Sequence, residues 1–411
     1  MWGEKIHYYR KKRGLTQSDL AEGVCSVSYL SKLEHNSIDP SRDIIIPLCE
    51  RLNIQIDDHQ TIDEVKMELK LLYKEVAEKK LNVAEEKLDK IRNQMKWIED
   101  PNTIALFSLM DARYKMWMKE MEAAKKELEL VKSYLSLLES EQKYFYFSFW
   151  GLYLYLTGHF PDSLEYYASA DKIRHELNLN DPYFVYQHAM VHSRMNSSAR
   201  SIISAQEALD SFNATSSFSK SVDCLILLGI NYNRIGDKDN AKSYLKQALR
   251  ATEYLVDNNN ILVTIYHNLG FVFSSEGRSM EAISYYEKSL KLNEENVQTM
   301  YLLAKEYYLT SQFDKSLKQL QKGMKFVKGR ESTYSVKFSI LALKLEKNEE
   351  TTKFEHLLIH AKDFFQDRND IVNLLDVYIE LGDYYSKKFS YKNASMYYKK
   401  ALEMNLTYEK R

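Results

Sequence analysis

Two groups of residues in this 411-residue chain carry side chains suited to recognition rather than to bond making. The first lies near the start: Arg10, Lys11 and Arg13 in a cationic run, Thr16 and Gln17 just past Gly14, then Ser26, Val27, Ser28, Tyr29 and Lys32. Cations with short hydroxyl and amide side chains suit phosphate oxygens and the donor and acceptor edges of bases, and a valine can touch a thymine methyl. The second group is Asn233, His267, Asn268, Gln298, Tyr301 and Lys305. A side-chain amide both donates and accepts, which matches the unpaired N–H and C=O groups of an extended peptide. His, Tyr and Lys suit the peptide's side chains or its C-terminal carboxylate.

Neither group is a catalytic constellation. The chain has no nucleophile elbow, no P-loop and no G-x-G-x-x-G. Its three cysteines, Cys25, Cys49 and Cys224, lack CxxC spacing, which excludes a disulfide framework and a thiolate zinc site and suits a reducing compartment. His188 with His192, and His356 with His360, have the i, i+4 spacing that puts two rings on one helix face, but neither pair has the Glu of H-E-x-x-H. They are expected to be packing or surface histidines. No enzyme activity, cofactor or metal is therefore expected. Lys and Arg number 57 against 58 acids, so no global charge points to nucleic acid or membrane, and any such partner must be met locally. The N-terminus carries charges throughout, and no run approaches the ~18 apolar residues of a membrane span. A cytoplasmic protein without a membrane partner is the expectation.

The elements that must hold these residues are helices. Glycine occurs 12 times and proline 5 times, far below the averages of about 7% and about 5%, which leaves too few turn residues for sandwiches or barrels. Ile6 and Tyr9 take helical spacing before Gly14 stops the first helix. Thr16 with Asp19 three residues on predicts a capped second helix, and Ser26 caps a third over Val27 to Glu34. A fourth, Asp43 to Leu52, closes the bundle.

Residues 14–41, GLTQSDLAEGVCSVSYLSKLEHNSIDPS, resemble the helix-turn-helix of the Cro/cI type, with Gly14, Gln17, Leu20, Ala21, Leu30, Leu33, Glu34 and Pro40 in the places that family uses. The turn Gly23-Val24-Cys25-Ser26 departs from the commonest form, being one residue short and without glycine at the usual place. The resemblance implies that the third helix enters the major groove of double-stranded operator DNA and the second crosses the backbone. Residues 1–42 balance to only +2, so two such domains on two half-sites are expected, as a homodimer or higher homo-oligomer. A protein-interaction module of four small helices is the alternative.

The remainder repeats. Gly151, Gly229, Gly270, Ala304 and Gly382 each lead a register with a small residue twelve positions on, a large one at sixteen and a small one at nineteen. Ser163, Tyr167 and Ala170 follow Gly151 in this way; Ala282, Tyr286 and Ser289 follow Gly270. This pattern is similar to the tetratricopeptide (TPR) repeat, at a period slightly longer than its usual ~34 residues. Degenerate copies are expected near 182–215 and 332–366, with looser ones led by Ala112 and Leu72. The fold expected is all-α: a helix-turn-helix domain over residues 1–60, then a right-handed superhelical array of about nine TPR-like helix pairs over 61–411. Positions six, three and two before each lead residue, and one and four after it, should face the concave side, and these include all six residues of the second group.

A Cro/cI-type reader joined to a long TPR array resembles the RRNPP group of peptide-pheromone sensors, most closely its NprR and PlcR branches. That resemblance implies quorum-sensing transcription regulation controlled by a short signalling oligopeptide in the concave groove. Two other readings of the same residues stay open. The array could hold a response regulator of a phosphorelay, or it could serve only to dimerise a phage- or plasmid-type repressor.

Overall fold

The computed structural model describes residues 2–53, 59–78, 80–95, 98, 100–255, 258–327 and 331–409. Among these, 22 α-helices and two short 3-10 turns account for the regular structure, with no strand. The chain forms two compact units, residues 1–183 and 184–411.

The first unit begins with α1 (Trp2–Lys12), α2 (Gln17–Ala21), α3 (Val27–Glu34) and α4 (Arg42–Arg51). Thr16 and Asp19 form a complete capping box on α2, and the Ser26 hydroxyl accepts the Tyr29 N–H at the start of α3. The turn between them does use glycine for its left-handed residue: Gly23 has φ +67°. Ile6, Leu20, Leu30, Leu33, Ile45, Leu48 and Leu52 fill the core of this bundle. Three helix pairs follow: α5 (His59–Ala77) with α6 (Leu81–Met95), α7 (Pro101–Trp117) with α8 (Met121–Lys132), and α9 (Ser140–Leu156) with α10 (Phe160–Glu176). Asp181 ties this unit together, accepting hydrogen bonds of 2.8 Å from the hydroxyls of both Tyr73 and Tyr144. The buried Arg113 guanidinium lies over the Tyr73 and Phe149 rings.

The remaining helices are α11 (Pro182–Arg194) with α12 (Ser198–Ala214), α13 (Phe218–Arg234) with α14 (Lys238–Ala251), and α15 (Asn259–Ser275) with α16 (Ser279–Leu292). They continue with α17 (Val297–Leu309) and α18 (Phe313–Val327), α19 (Thr333–Leu345) and α20 (Thr352–Asp367), and α21 (Ile371–Lys387) and α22 (Tyr391–Glu409). From α5 onward the described helices make nine pairs, as the repeat register predicts.

The register has a direct physical cause. A Cβ built on Gly151 would fall 2.8 Å from the Tyr167 ring, on Gly229 2.6 Å from Leu245, on Gly270 2.6 Å from Tyr286, and on Gly382 2.3 Å from Tyr398. Each lead residue is small because the large side chain sixteen positions on lies against its backbone. At twelve positions on, serine serves where the helices touch: Ser163 donates to the Gly151 carbonyl at 2.7 Å and Ser316 to Ala304 at 2.7 Å. Ser201 does the same to Ala189 at 2.8 Å, which marks Ala189 as the lead residue of the degenerate copy near 182–215. The scarcity of glycine does not mean a scarcity of left-handed turns. Lys119, Asn196, Ser311 and Phe389 take positive φ where Gly158, Gly236 and Gly277 do so in other pairs.

Gly270→Ala is expected to destabilise the second unit by about 1–3 kcal/mol through overpacking, against a helix-propensity gain of up to ~1 kcal/mol. Tyr286 is fully buried and its ring cannot retreat. Thermal unfolding of the variant and of Gly270→Ala/Tyr286→Ala checks this: the double variant should be less destabilised than the sum of its single changes.

Candidate nucleic-acid interface and peptide groove

The N-terminal bundle is held by one carboxylate. Glu34, at the end of α3, receives Arg10 Nε at 2.5 Å and Arg10 Nη2 at 2.7 Å in a two-pronged pair. Gln17 Nε2 adds a third bond to Glu34 at 2.8 Å and His7 Nδ1 a fourth at 2.9 Å, so α1, α2 and α3 converge on it. These donors, Arg10 above all, hold the Glu34 carboxyl down at about 2 against the opposing effect of burial.

The expectation for Arg10 therefore changes. It is 4% exposed, and its remaining Nη1 donates to the Leu15 carbonyl. A guanidinium spent in this way cannot anchor a phosphate; Lys11 and Arg13 remain exposed and, among the described residues, without an ion pair. Gln17 has one N–H committed to Glu34 and keeps its second N–H and its carbonyl oxygen for another partner. Thr16 and Ser26 use their hydroxyl oxygens as helix caps. At the start of α3, Val27 is 44% exposed, and Ser28 and Lys32 are exposed beyond it. Tyr29 is half-buried against the bundle core. The outer face of α3 is thus short, small at its N-terminus and cationic further on, which fits a groove edge followed by a backbone.

In the second unit, Asn233, His267, Asn268 and Gln298 line one groove of ≈ 1240 Å³. Tyr301 and Lys305 line a second cavity of ≈ 250 Å³ with Lys337, Lys344, Asp376 and Glu380. Here the Lys337 ammonium sits 4.8 Å from the Tyr301 ring centre and donates to Asn373 at 2.8 Å, while Lys344 pairs with Glu380 at 2.5 Å. Burial lowers the Lys337 pKa and raises that of Tyr301.

The groove's amides have fixed orientations. The Asn233 oxygen accepts from Lys238 Nζ at 2.8 Å and from the Ser275 hydroxyl at 3.3 Å. An ammonium can only donate, so the Asn233 oxygen is committed and its NH2 is what it offers. Asn268 differs: one N–H donates to the Thr264 carbonyl at 2.8 Å, which fixes the orientation of the amide and leaves its oxygen to accept. His267 Nδ1 lies 2.8 Å from the Thr299 hydroxyl, and burial lowers its pKa to about 4, so the ring is neutral near pH 7. Gln298 is exposed at the groove margin.

Three arginines of the same groove, Arg194, Arg200 and Arg234, were not anticipated from the concave-face register. Arg194 and Arg234 both stand five positions after their lead residues, Ala189 and Gly229, one beyond the positions projected inward. That shared place was the available signal. Among the described residues no group of three or more His, Cys, Asp or Glu is placed to hold a metal ion, and no helix is long and apolar enough to cross a membrane.

A four-helix bundle of helix-turn-helix type followed by a tetratricopeptide array defines the class. Family models agree, with a helix-turn-helix match over residues 6–59 and tetratricopeptide matches over 225–295 and 375–408. The chain is 29% identical over 395 residues to the transcriptional activator NprA of Geobacillus stearothermophilus, covering 92% of this chain and 97% of that protein. Its fold is similar to the apo form of the quorum sensor NprR from B. thuringiensis, with TM-score 0.75 and 21% identity over 83% of this chain and 99% of that one. It is also similar to NprR in complex with its cognate peptide NprX, with TM-score 0.64 and 20% identity over 83% of this chain and 98% of that one. This domain content and the similarity to NprA fit the RRNPP group of regulators.

Proposed function

We propose that this protein is a quorum-sensing transcription regulator that binds operator DNA through α3 and is controlled by a short signalling peptide seated in the groove of residues 184–411. The observation that carries this is the pair of fixed amides, Asn233 offering a donor and Asn268 an acceptor into one groove. An extended backbone presents both complementary groups. The similarity to a solved complex of NprR with its cognate peptide supports the same assignment. In this proposal residues 1–60 act as the reader and 61–411 as the receiver, in the cytoplasm, where an imported peptide would meet it. The DNA-bound form is a homodimer or higher homo-oligomer. Phe389, Tyr391 and Leu402 expose apolar surface near the C-terminus that would suit a subunit contact.

The test combines light scattering with operator-shift assays on DNA flanking the gene, with and without short peptides encoded beside it. A peptide-dependent change in DNA affinity or assembly supports the proposal. DNA binding that no peptide alters would make the array a dimerisation scaffold. A stoichiometric complex with a response regulator that survives deletion of residues 1–60 would assign it a phosphorelay partner. In the same assay Arg13→Ala should weaken binding equally across DNA sequences and reduce the salt slope by about 0.9, the value for one lost phosphate contact. An unchanged slope would remove Arg13 from the interface.

A further inference from the structure

The groove holding Asn233 and Asn268 has a one-sided charge. Three arginines line it and, among the described lining residues, no carboxylate does. Arg234 is turned back on the protein, its Nη1 donating to both the carbonyl and the hydroxyl of Ser193. Arg194 and Arg200 are different. Both are exposed, and among the described residues neither has a hydrogen bond or an ion pair. They flank the turn that joins α11 to α12, and both line the groove with their donors unspent. His267 does not add to this charge, because burial keeps it neutral near pH 7.

The neighbouring cavity differs: Asp376 and Glu380 line it beside its lysines, and Lys344 pairs with Glu380 at 2.5 Å. Two unmatched arginines beside two fixed amides form a local arrangement of another kind. A guanidinium recognises a carboxylate through parallel N–H donors, and that recognition gains strength in a groove that restricts water.

We propose that Arg194 and Arg200 select the signalling peptide by a carboxylate, carried either on an Asp or Glu side chain or at the peptide's C-terminus. This rests on the peptide-binding function proposed above and specifies its ligand. Asn233 and Asn268 hold the peptide backbone without regard to sequence, while the arginines determine which peptides stay. Peptides whose only charges are cationic are turned away from the same groove.

The test uses the full-length protein on arrays of random heptapeptides made in two formats, with a free C-terminal carboxylate and with a C-terminal amide. Binding should be at least about tenfold stronger for peptides that carry a carboxylate, the scale of a charge-assisted hydrogen bond. An Asp or Glu preference in both formats identifies a side chain as the source; loss of binding on the amide array identifies the terminus. Arg194→Glu/Arg200→Glu should reverse the preference toward Lys- and Arg-bearing peptides, and Arg194→Lys/Arg200→Lys should keep the original sign. Both positions are exposed, so thermal unfolding should match the parent and verify that the variants fold. Equal binding of acidic and basic peptides with no loss on the amide array, or a carboxylate preference that survives the double Glu change, overturns this inference while leaving peptide binding intact. No binding on any array overturns the peptide-controlled function itself.

Discussion

Glu34→Ala is expected to cost the N-terminal bundle about 3–5 kcal/mol, because removing one partner of a buried ion pair leaves the other charge uncompensated. Arg10 would then be left 4% exposed with its main acceptor gone, and Gln17 and His7 would lose the oxygen that joins them to α3. A bundle this small rarely has more than about 3–5 kcal/mol to lose. The expected result is therefore a chain whose first four helices are largely unfolded and whose second unit is intact. Hydrogen exchange measured by mass spectrometry on the full-length variant reads this directly. Amides in residues 6–52 should lose protection, those in 184–411 should not, and operator binding should disappear. Retained protection in 6–52 would show that the pair is dispensable to the fold.

The same carboxylate gives a pH dependence of defined sign. Its pKa is about 2 in the folded state against an ordinary 4.5. Because the folded value is the lower one, the stabilisation is complete above about 4.5 and is lost as pH falls toward 2. The parent bundle should lose protection across that acid window. Glu34→Gln, which keeps the shape but cannot ionise, should be weaker at neutral pH and nearly indifferent to acid. A parent and Gln variant that respond to acid in parallel would assign the titration to other groups.

What the sequence revealed follows from where its causes lie. The span of α3 is the predicted Val27 to Glu34 because Ser26 and the apolar spacing act within a few residues. The repeats were visible because a small lead residue and a large one sixteen positions on touch directly, as Gly270 and Tyr286 do. The degenerate copies are weak in sequence for the same reason. In the copy led by Ala189, position sixteen shrinks to Ala205, and in that led by Ala342, position twelve is the large and buried Phe354. Arg10 was misread because a run of four cations looks alike whether or not one turns inward. Its partner lies 24 residues away on another helix. The polarity of the groove amides was beyond a register argument altogether, since it depends on Lys238 and on the Thr264 carbonyl as neighbours in space.

That polarity makes two chemically identical substitutions behave differently. Asn233→Asp converts the offered NH2 into a carboxylate oxygen facing the peptide carbonyl it should serve. The protein tolerates this change, because Lys238 already sits 2.8 Å from the retained oxygen and gains a charged partner. The peptide does not: a lost donor against a desolvated acceptor costs about 1–3 kcal/mol, roughly 5- to 150-fold in affinity. Asn268→Asp keeps an oxygen to receive a peptide N–H, gives up the bond to the Thr264 carbonyl and turns its second oxygen away from it, which a half-buried position permits. Its expected effect on peptide affinity is within about threefold, less than one net hydrogen bond. Alanine at either position should cost about 0.5–1.5 kcal/mol, placing both truncations between the two Asp variants. Peptide titrations of operator binding, using the tightest peptide from the arrays, give all four values. The order expected is Asn268→Asp least affected, the two alanines next and Asn233→Asp most affected. Equal losses for the two Asp variants would show that the amides do not hold a peptide backbone in the orientations their neighbours impose.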